Sequence, residues 1–483
     1  MMHRKFAYLC SIFASLNIIL LGYDIGVMSG AILYIKKDLH ITEVQQEIFV
    51  GCLSIVSLIG GLTGGPTSDL IGRKWTIGIG AVIFQAGAVV MTFAPSFRIL
   101  LLGRLITGVG IGFSASISAI YVAEISPAIT RGTLVSLPEI CINIGILLGY
   151  ISNFAFSGLP QHYNWRIMLG IGILPAVFNG ITFYIIPESP RWLVMQNRLE
   201  EARSVLVKVS DRGEDVEQRL KEIKEAASVN TDYKRKALYQ EILCPSPGVR
   251  RMLAAGCGIM VFQQITGIDA TVYYSPTIFK NAGIKSEKKI LATTVAVGFT
   301  KTIFTVVAMF CIDKVGRKVL LYVSTIGMTA CLAVLGIALA LQKHLSGSVV
   351  QDFGIGLAIF AVCANVAFYA VGMGPICWVV SSEVFPLRLR AKASALSQVG
   401  ARVSSGLISM SFLSLSRAIS VSGVFFVFSI ILAIAVVFVK LCVPETKGKT
   451  LEEIETMLIG EEQKLDLADT ESGKTEHELE TDS

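Results

Sequence analysis

Two stretches of this chain are near copies of one another, Asp69-Leu-Ile-Gly-Arg-Lys74 and Asp313-Lys-Val-Gly-Arg-Lys318. Each closes a long apolar run and opens the next one through a glycine turn flanked by fixed cations. Two more pairs follow in the same order. Glu124, Pro127 and Arg131 return as Glu383, Pro386 and Arg390, and the Pro187-Glu188 step returns as Pro444-Glu445. Three landmarks repeated in one order mean that the chain is built from two similar halves.

The runs between the landmarks say what the halves are made of. Crossing a ~30 Å hydrocarbon core takes about 20 apolar residues, and runs of that length fall at 6–30, 48–68, 75–95, 99–123, 132–155 and 167–187. A second set falls at 252–279, 290–312, 319–341, 353–380, 392–416 and 421–443. Over the whole chain 53% of residues are hydrophobic and only 16% charged, where a soluble protein has roughly 25% charged. The expected fold is an all-α membrane protein of twelve transmembrane helices in two six-helix pseudo-repeats. Its parts are an N-terminal bundle (1–187), a central loop with short helices (188–251), a C-terminal bundle (252–443) and an acidic tail (444–483). The first run follows basic residues as a signal peptide would, but it is too long for one and eleven spans follow, so it reads as an uncleaved helix. Twelve spans put both termini on one side. Lys and Arg are more frequent in the connections on that side, which predicts that both termini are cytoplasmic.

Several function classes are excluded by what the chain lacks. Basic residues are not clustered with aromatics, so no nucleic-acid partner is expected. The ten cysteines show no CxxC or other ligand spacing and all five histidines lie outside the spans, so no metal, cofactor or histidine proton relay is expected. Gly108-x-Gly110-x-Gly112 lies mid-span without a preceding strand and reads as a helix-packing face, as does Gly60 with Gly64. No nucleophile and base stand together, so the chain is not expected to be an enzyme.

At this point the motifs carry a resemblance. GYDIGVMSG (22–30), DLIGRK (69–74), GRLITGVGIG (103–112), AEISPAITRG (123–132), PESPRW (187–192), FQQITGIDATVYYSP (262–276), DKVGRK (313–318), GMGPICWVVSSEVFPLRLR (372–390) and PETKGKT (444–450) stand in an order and spacing that resemble the sugar porter family of the major facilitator superfamily. SLPEICINIGILLGYISN (136–153), QQITGIDA and the lysine of VGFTKT resemble its plant polyol and monosaccharide branch. The resemblance implies a proton-coupled symporter for polyols, cyclitols or monosaccharides, at a plasma membrane. A facilitative uniporter and a non-transporting sugar receptor are the alternatives.

Six ionisable residues lie inside the expected spans: Asp24, Arg104, Glu139, Asp269, Lys301 and Arg402. Charges at that depth are costly and functional by default. Burial and a guanidinium partner act in opposite directions on a carboxylate's proton, so an Asp24–Arg104 pair between spans 1 and 4 is the expected proton-coupling site. The resemblance implies the same pairing. Sugar hydroxyls both donate and accept, which suits amides. Gln263 and Gln264, beside the span-breaking Gly267, and Asp269 with Tyr273 one turn on are the expected binding face, with Trp378 as a flat wall after the Gly372–Pro375 break. By resemblance Gln263, Gln264 and Trp378 match sugar-contacting positions. Glu139, Asp269 and Lys301 stand where the family commonly has glutamine, asparagine and asparagine, and Ala401 where it has asparagine. Glu139, Asp269, Lys301 and Arg402 are expected to form a neutral charge cluster around the substrate. Asp69, Arg73, Glu124, Arg131 and Glu188, with Asp313, Arg317, Glu383, Arg390 and Glu445, are expected to form ion pairs that gate the cytoplasmic face. The expected partners are the substrate, protons and the lipid bilayer.

Overall fold

A computed structural model describes residues 2–126, 137–173, 186–209, 216–228, 245, 247–344, 348–385, 390–447, 454 and 457. Among them every regular element is an α-helix. The first half holds α1 (Met2–Asp38), α2 (Glu43–Ile71), α3 (Arg73–Thr92), α4 (Phe97–Ile125), α5 (Leu137–Phe156) and α6 (Gln161–Ile171). The central segment holds α7 (Pro190–Met195), α8 (Leu199–Val209) and α9 (Val216–Ser228). The second half holds α10 (Pro247–Ile265), α11 (Ile268–Tyr273), α12 (Ser275–Asn281), α13 (Glu287–Val315), α14 (Arg317–His344), α15 (Ser348–Val371), α16 (Met373–Val384), α17 (Arg390–Ile419) and α18 (Val421–Cys442).

Ten candidate spans among the described residues are long and apolar enough to cross a membrane. The sixth expected span falls largely on residues 174–185, outside the described ones. The eleventh, α17, has the length at 30 residues, but its serines and arginines keep it from qualifying on hydropathy. Two spans are broken where glycine was expected to break them. In span 7, α10 gives way to α11 across Gly267, whose φ of 79° is left-handed. In span 10, α15 stops at Val371 and α16 resumes after Gly372, with Pro375 in its first turn, where a missing N–H costs nothing.

The sequence repeat is also a repeat in space. Gly72 (φ 104°, ψ 157°) joins α2 to α3, and Gly316 (φ 110°, ψ 154°) joins α13 to α14, a region that penalises any Cβ. A carboxylate from the end of each half then caps the helix that follows. Glu188 Oε1 accepts from the main-chain N–H groups of Arg73 (2.9 Å) and Lys74 (3.1 Å), and Glu445 accepts from those of Arg317 (3.1 Å) and Lys318 (3.0 Å). Negative charge at a helix N-terminus is favourable, so each half clasps its second loop with its own end.

Glycines also set how closely helices meet. A Cβ on Gly22 would lie 2.0 Å from the carbonyl oxygen of Ile142, and one on Gly145 2.3 Å from that of Ile19, so α1 and α5 touch backbone to backbone. Between α2 and α4 the tight pair is Gly60 with Gly112, 2.2 Å from Val109 O and 2.1 Å from Ser57 O. The other two glycines of the expected packing faces are looser: Gly64 has its nearest neighbour at 3.6 Å, and Gly108 has the Val56 side chain at 3.1 Å and Leu53 O at 3.5 Å.

Between the halves, α2 packs on α17 and α5 on α13. Polar contacts there include Ser54–Ser405 (3.0 Å), Asn143–Thr305 (3.1 Å), Tyr150 donating to Val272 O (3.0 Å), Glu43–Arg417 (3.0 Å) and Lys37–Glu287. They run from the middle of the bundle to the end opposite the termini. That far end is closed.

Candidate functional site

Asp24 and Arg104 meet inside the first half, as expected. The Arg104 Nη1 atom lies 2.6 and 2.5 Å from the two carboxylate oxygens of Asp24, and the two residues are 0% and 3% exposed respectively. Arg104 is held from behind by Phe49, whose carbonyl accepts from Nε at 3.2 Å and whose ring lies 5.4 Å away. Nη2 of Arg104 is buried with no hydrogen-bond partner. The pair is therefore positioned but not saturated.

The second cluster is built around the two broken spans. Gln263 Nε2 donates to Met373 O and Gly374 O, both at 2.8 Å, tying span 7 to the break of span 10. Gln264 Nε2 reaches Gln263 Oε1 at 3.4 Å, while Gln264 Oε1 is buried and unpartnered. Asp269 accepts from the Ser405 hydroxyl of α17. Lys301 is 8% exposed, its Nζ 5.7 Å from the centre of the Tyr369 ring, and the acids whose charge reaches it are Glu139 and Asp269. Glu139 is linked to Asn143, which bonds Thr305 in turn. Trp378 follows the break and is 39% exposed.

The structure thus brings Glu139, Asp269 and Lys301 into one electrostatic neighbourhood, but none of the four expected cluster members closes an ion pair within 4.0 Å among the described residues. Arg402 instead shares a neighbourhood with Tyr273, which is 3% exposed. Tyr273 is also within the reach of Arg104, Asp24 and Asp269, so it lies between the Asp24–Arg104 pair and the second cluster. Two residues of this region were not expected from the sequence. Tyr369 feels Glu139 and Asp269 and stands beside the Gln263 side chain, and Asn143 spans the halves. An aromatic three residues before a glycine break and an amide one turn after Glu139 were the available signals.

At the termini end, Arg73 lies 2.9 Å from Asp69 and 3.1 Å from Glu124, and Arg317 lies 3.3 Å from Glu383. These pairs stay within one half. Glu188 and Glu445 cap α3 and α14 through main-chain N–H groups. Arg131 lies outside the described residues, and so do the side chains of Asp313 and Arg390.

Residues 9–458 match the profile of the family described as "Sugar (and other) transporter". The chain is 58% identical over 457 residues to "Probable polyol transporter 4" of Arabidopsis thaliana, covering 95% of this chain and 86% of the relative. It is 35% identical to "Glucose transporter GlcP" of Staphylococcus epidermidis, covering 93% and 96%. Among solved structures it resembles the proton:xylose symporter XylE of E. coli bound to 6-bromo-6-deoxy-D-glucose, with a TM-score of 0.77, 28% identity and coverage of 94% of this chain and 99% of that one.

Proposed function

The chain belongs to the sugar transporter family, on the twelve-helix major facilitator fold, and from that premise we propose that it imports polyols, cyclitols or monosaccharides together with protons, by alternating access, at a plasma membrane. The observation that carries this is the buried Asp24–Arg104 pair. A buried carboxylate held by one guanidinium nitrogen binds a proton at the expense of that ion pair, so proton occupancy and the geometry of α1 and α4 depend on each other. Its likeness to a probable polyol transporter and to a proton:xylose symporter supports the substrate class. A facilitative carrier has no need of Asp24, and no observation favours a receptor.

Substrate hydroxyls meet Gln264 Oε1, Asp269, Glu139, Lys301 and Trp378 in this reading, with Gln263 holding the broken spans in place. Tyr273, between Asp24 and Asp269, transmits substrate occupancy to the proton site. The bundles 1–187 and 252–443 are the rocking bodies, and the termini, 188–251 and 444–483 face the cytoplasm. Arg73, Glu124, Arg317 and Glu383, with Asp69, Asp313, Arg131, Arg390, Glu188 and Glu445, form the cytoplasmic gate.

The test is Asp24→Asn in cells fed labelled polyol. The amide cannot carry the proton but leaves the substrate cluster alone, so accumulation against a gradient is lost while exchange persists. Uphill uptake in the mutant that collapses with a protonophore, as in the wild type, contradicts the assignment.

A further inference from the structure

The far-end closure contains a carboxylate that the proton and substrate sites do not use. Glu47 lies in α2 and is 3% exposed. The apolar run of span 2 begins at residue 48, one position after Glu47. Its Oε1 accepts from the main-chain N–H of Ser414 at 2.6 Å and its Oε2 from the Ser414 hydroxyl at 2.5 Å. Ser414 belongs to α17, in the other half. One turn along α2 from Glu47, the helices are in contact: a Cβ on Gly51 would lie 2.4 Å from Met410 Cγ and 2.9 Å from Gly406 O.

The charged and titratable groups around Glu47 come from every element packed there. Glu43 on the same helix pairs with Lys36 of α1 (3.2 Å) and Arg417 of α17 (3.0 Å), and Lys37 pairs with Glu287 of α13. Tyr274, between α11 and α12, is influenced by the Glu47 charge and donates to Ser409 O at 2.9 Å. Those ion pairs are 39% exposed or more on each side, and exposed pairs contribute little. Glu47 is the buried carboxylate of this group, and among the described residues no cation lies within 4.0 Å of it.

We propose that Glu47 is the latch of the far end: as an anion it grips Ser414 across the two halves, and that end opens when this grip is lost. Hydrogen bonds to a charged acceptor are roughly twice as strong as neutral ones, so two of them make a firm and directional closure. A buried carboxylate without a cation is also costly, and water returns that cost when the halves part. An apolar residue here would favour the closed state alone; a carboxylate keeps closed and open states close in free energy, as a rocking interface requires. The proposal rests on alternating access and not on proton coupling.

Spin labels at Val44→Cys on α2 and Ile419→Cys on α17, which are 52% and 43% exposed at the native residues, report the far-end separation in a cysteine-depleted protein reconstituted without substrate or pH gradient. The wild type gives mainly the short distance. Glu47→Gln and Ser414→Ala each at least double the long-distance fraction, and the double variant adds nothing to Glu47→Gln, because both act on one contact. Additive effects, or a far end that stays closed in both single variants, overturn the latch. Should Glu47→Gln fail to fold, Ser414→Ala decides by itself, since it removes one hydroxyl and no charge. Substrate uptake by the wild type in the same liposomes separately tests the transport reading.

Discussion

The amide of Gln263 donates to two carbonyls of span 10, at 2.8 Å each, whereas the carbonyl oxygen of its neighbour Gln264 is buried with nothing to accept from. Buried polar atoms are nearly always paired, so the first amide is a brace and the second has an acceptor free for a substrate hydroxyl. Gln263→Leu should therefore lower the thermal midpoint in detergent and reduce the amount of folded protein. Gln264→Leu should leave the midpoint close to wild type and raise the KM for polyol about fivefold, the loss of one hydrogen bond of about 1 kcal/mol. Equal thermal losses in the two variants would contradict this division. The sequence places both residues beside Gly267 but cannot tell brace from contact, because the difference lies in where Met373 and Gly374 come to rest. Asp24 and Arg104 were legible as a pair, since a lone acid and a lone base in neighbouring apolar spans have few other partners. Glu47 was not, because it sits one residue before an apolar run and its burial is created by α17.

At the scale of elements, the Gly72 and Gly316 turns have matching backbone angles and matching carboxylate caps, yet the two caps differ electrostatically. Burial pushes the Glu188 carboxyl above its ordinary value, against the pull of the N–H groups of Ser189, Lys74 and Arg73 and the charge of Arg73. At Glu445 burial pushes the same way, but N–H donors from Lys447, Lys318, Arg317 and Thr446 outweigh it and the carboxyl sits below its ordinary value. A group raised on folding contributes its full stability below the unfolded value and loses it as pH rises through the folded value; a lowered group loses its contribution as pH falls. The Glu188 contribution should thus fade as pH climbs above about 4.3, the unperturbed glutamate value, and that of Glu445 only as pH drops below it. Thermal midpoints measured upward from about pH 4.3 should carry a falling slope from Glu188 in the wild type. Glu188→Gln should flatten that slope and Glu445→Gln should leave it; a slope indifferent to Glu188→Gln contradicts the assignment. The repeat itself was readable from DLIGRK and DKVGRK, and the breaks of spans 7 and 10 from their glycines. What could not be read was that Glu188 and Glu445 accept from main-chain N–H groups, because a capping contact depends on the turn's φ and ψ and leaves no charge pattern.

For the whole molecule, two six-helix halves meet from the midplane to the far end, where Ser54–Ser405, Glu47–Ser414 and Glu43–Arg417 join α2 to α17. Asp24 and Arg104 lie within one half, and Asp269, Lys301 and Tyr369 within the other, with Tyr273 between the two groups and Glu139 of the first half beside Lys301 and Tyr369. Transport in this arrangement requires that the proton site and the substrate cluster change together as the halves rock. Twelve spans and two halves were legible because apolar length and repeated landmarks are properties of the chain alone; which end is closed was not, because closure is a relation between halves that the sequence encodes equally in both states. Coupling is the central claim, and proton movement driven by substrate tests it most directly. Purified protein is reconstituted into liposomes holding a pH-sensitive dye, and an outward-to-inward polyol gradient is applied with no imposed pH difference. The wild type should acidify the lumen as polyol enters, with a protonophore abolishing the signal, and Asp24→Asn should show none. Polyol that equilibrates across wild-type liposomes with no change in lumenal pH would contradict the account.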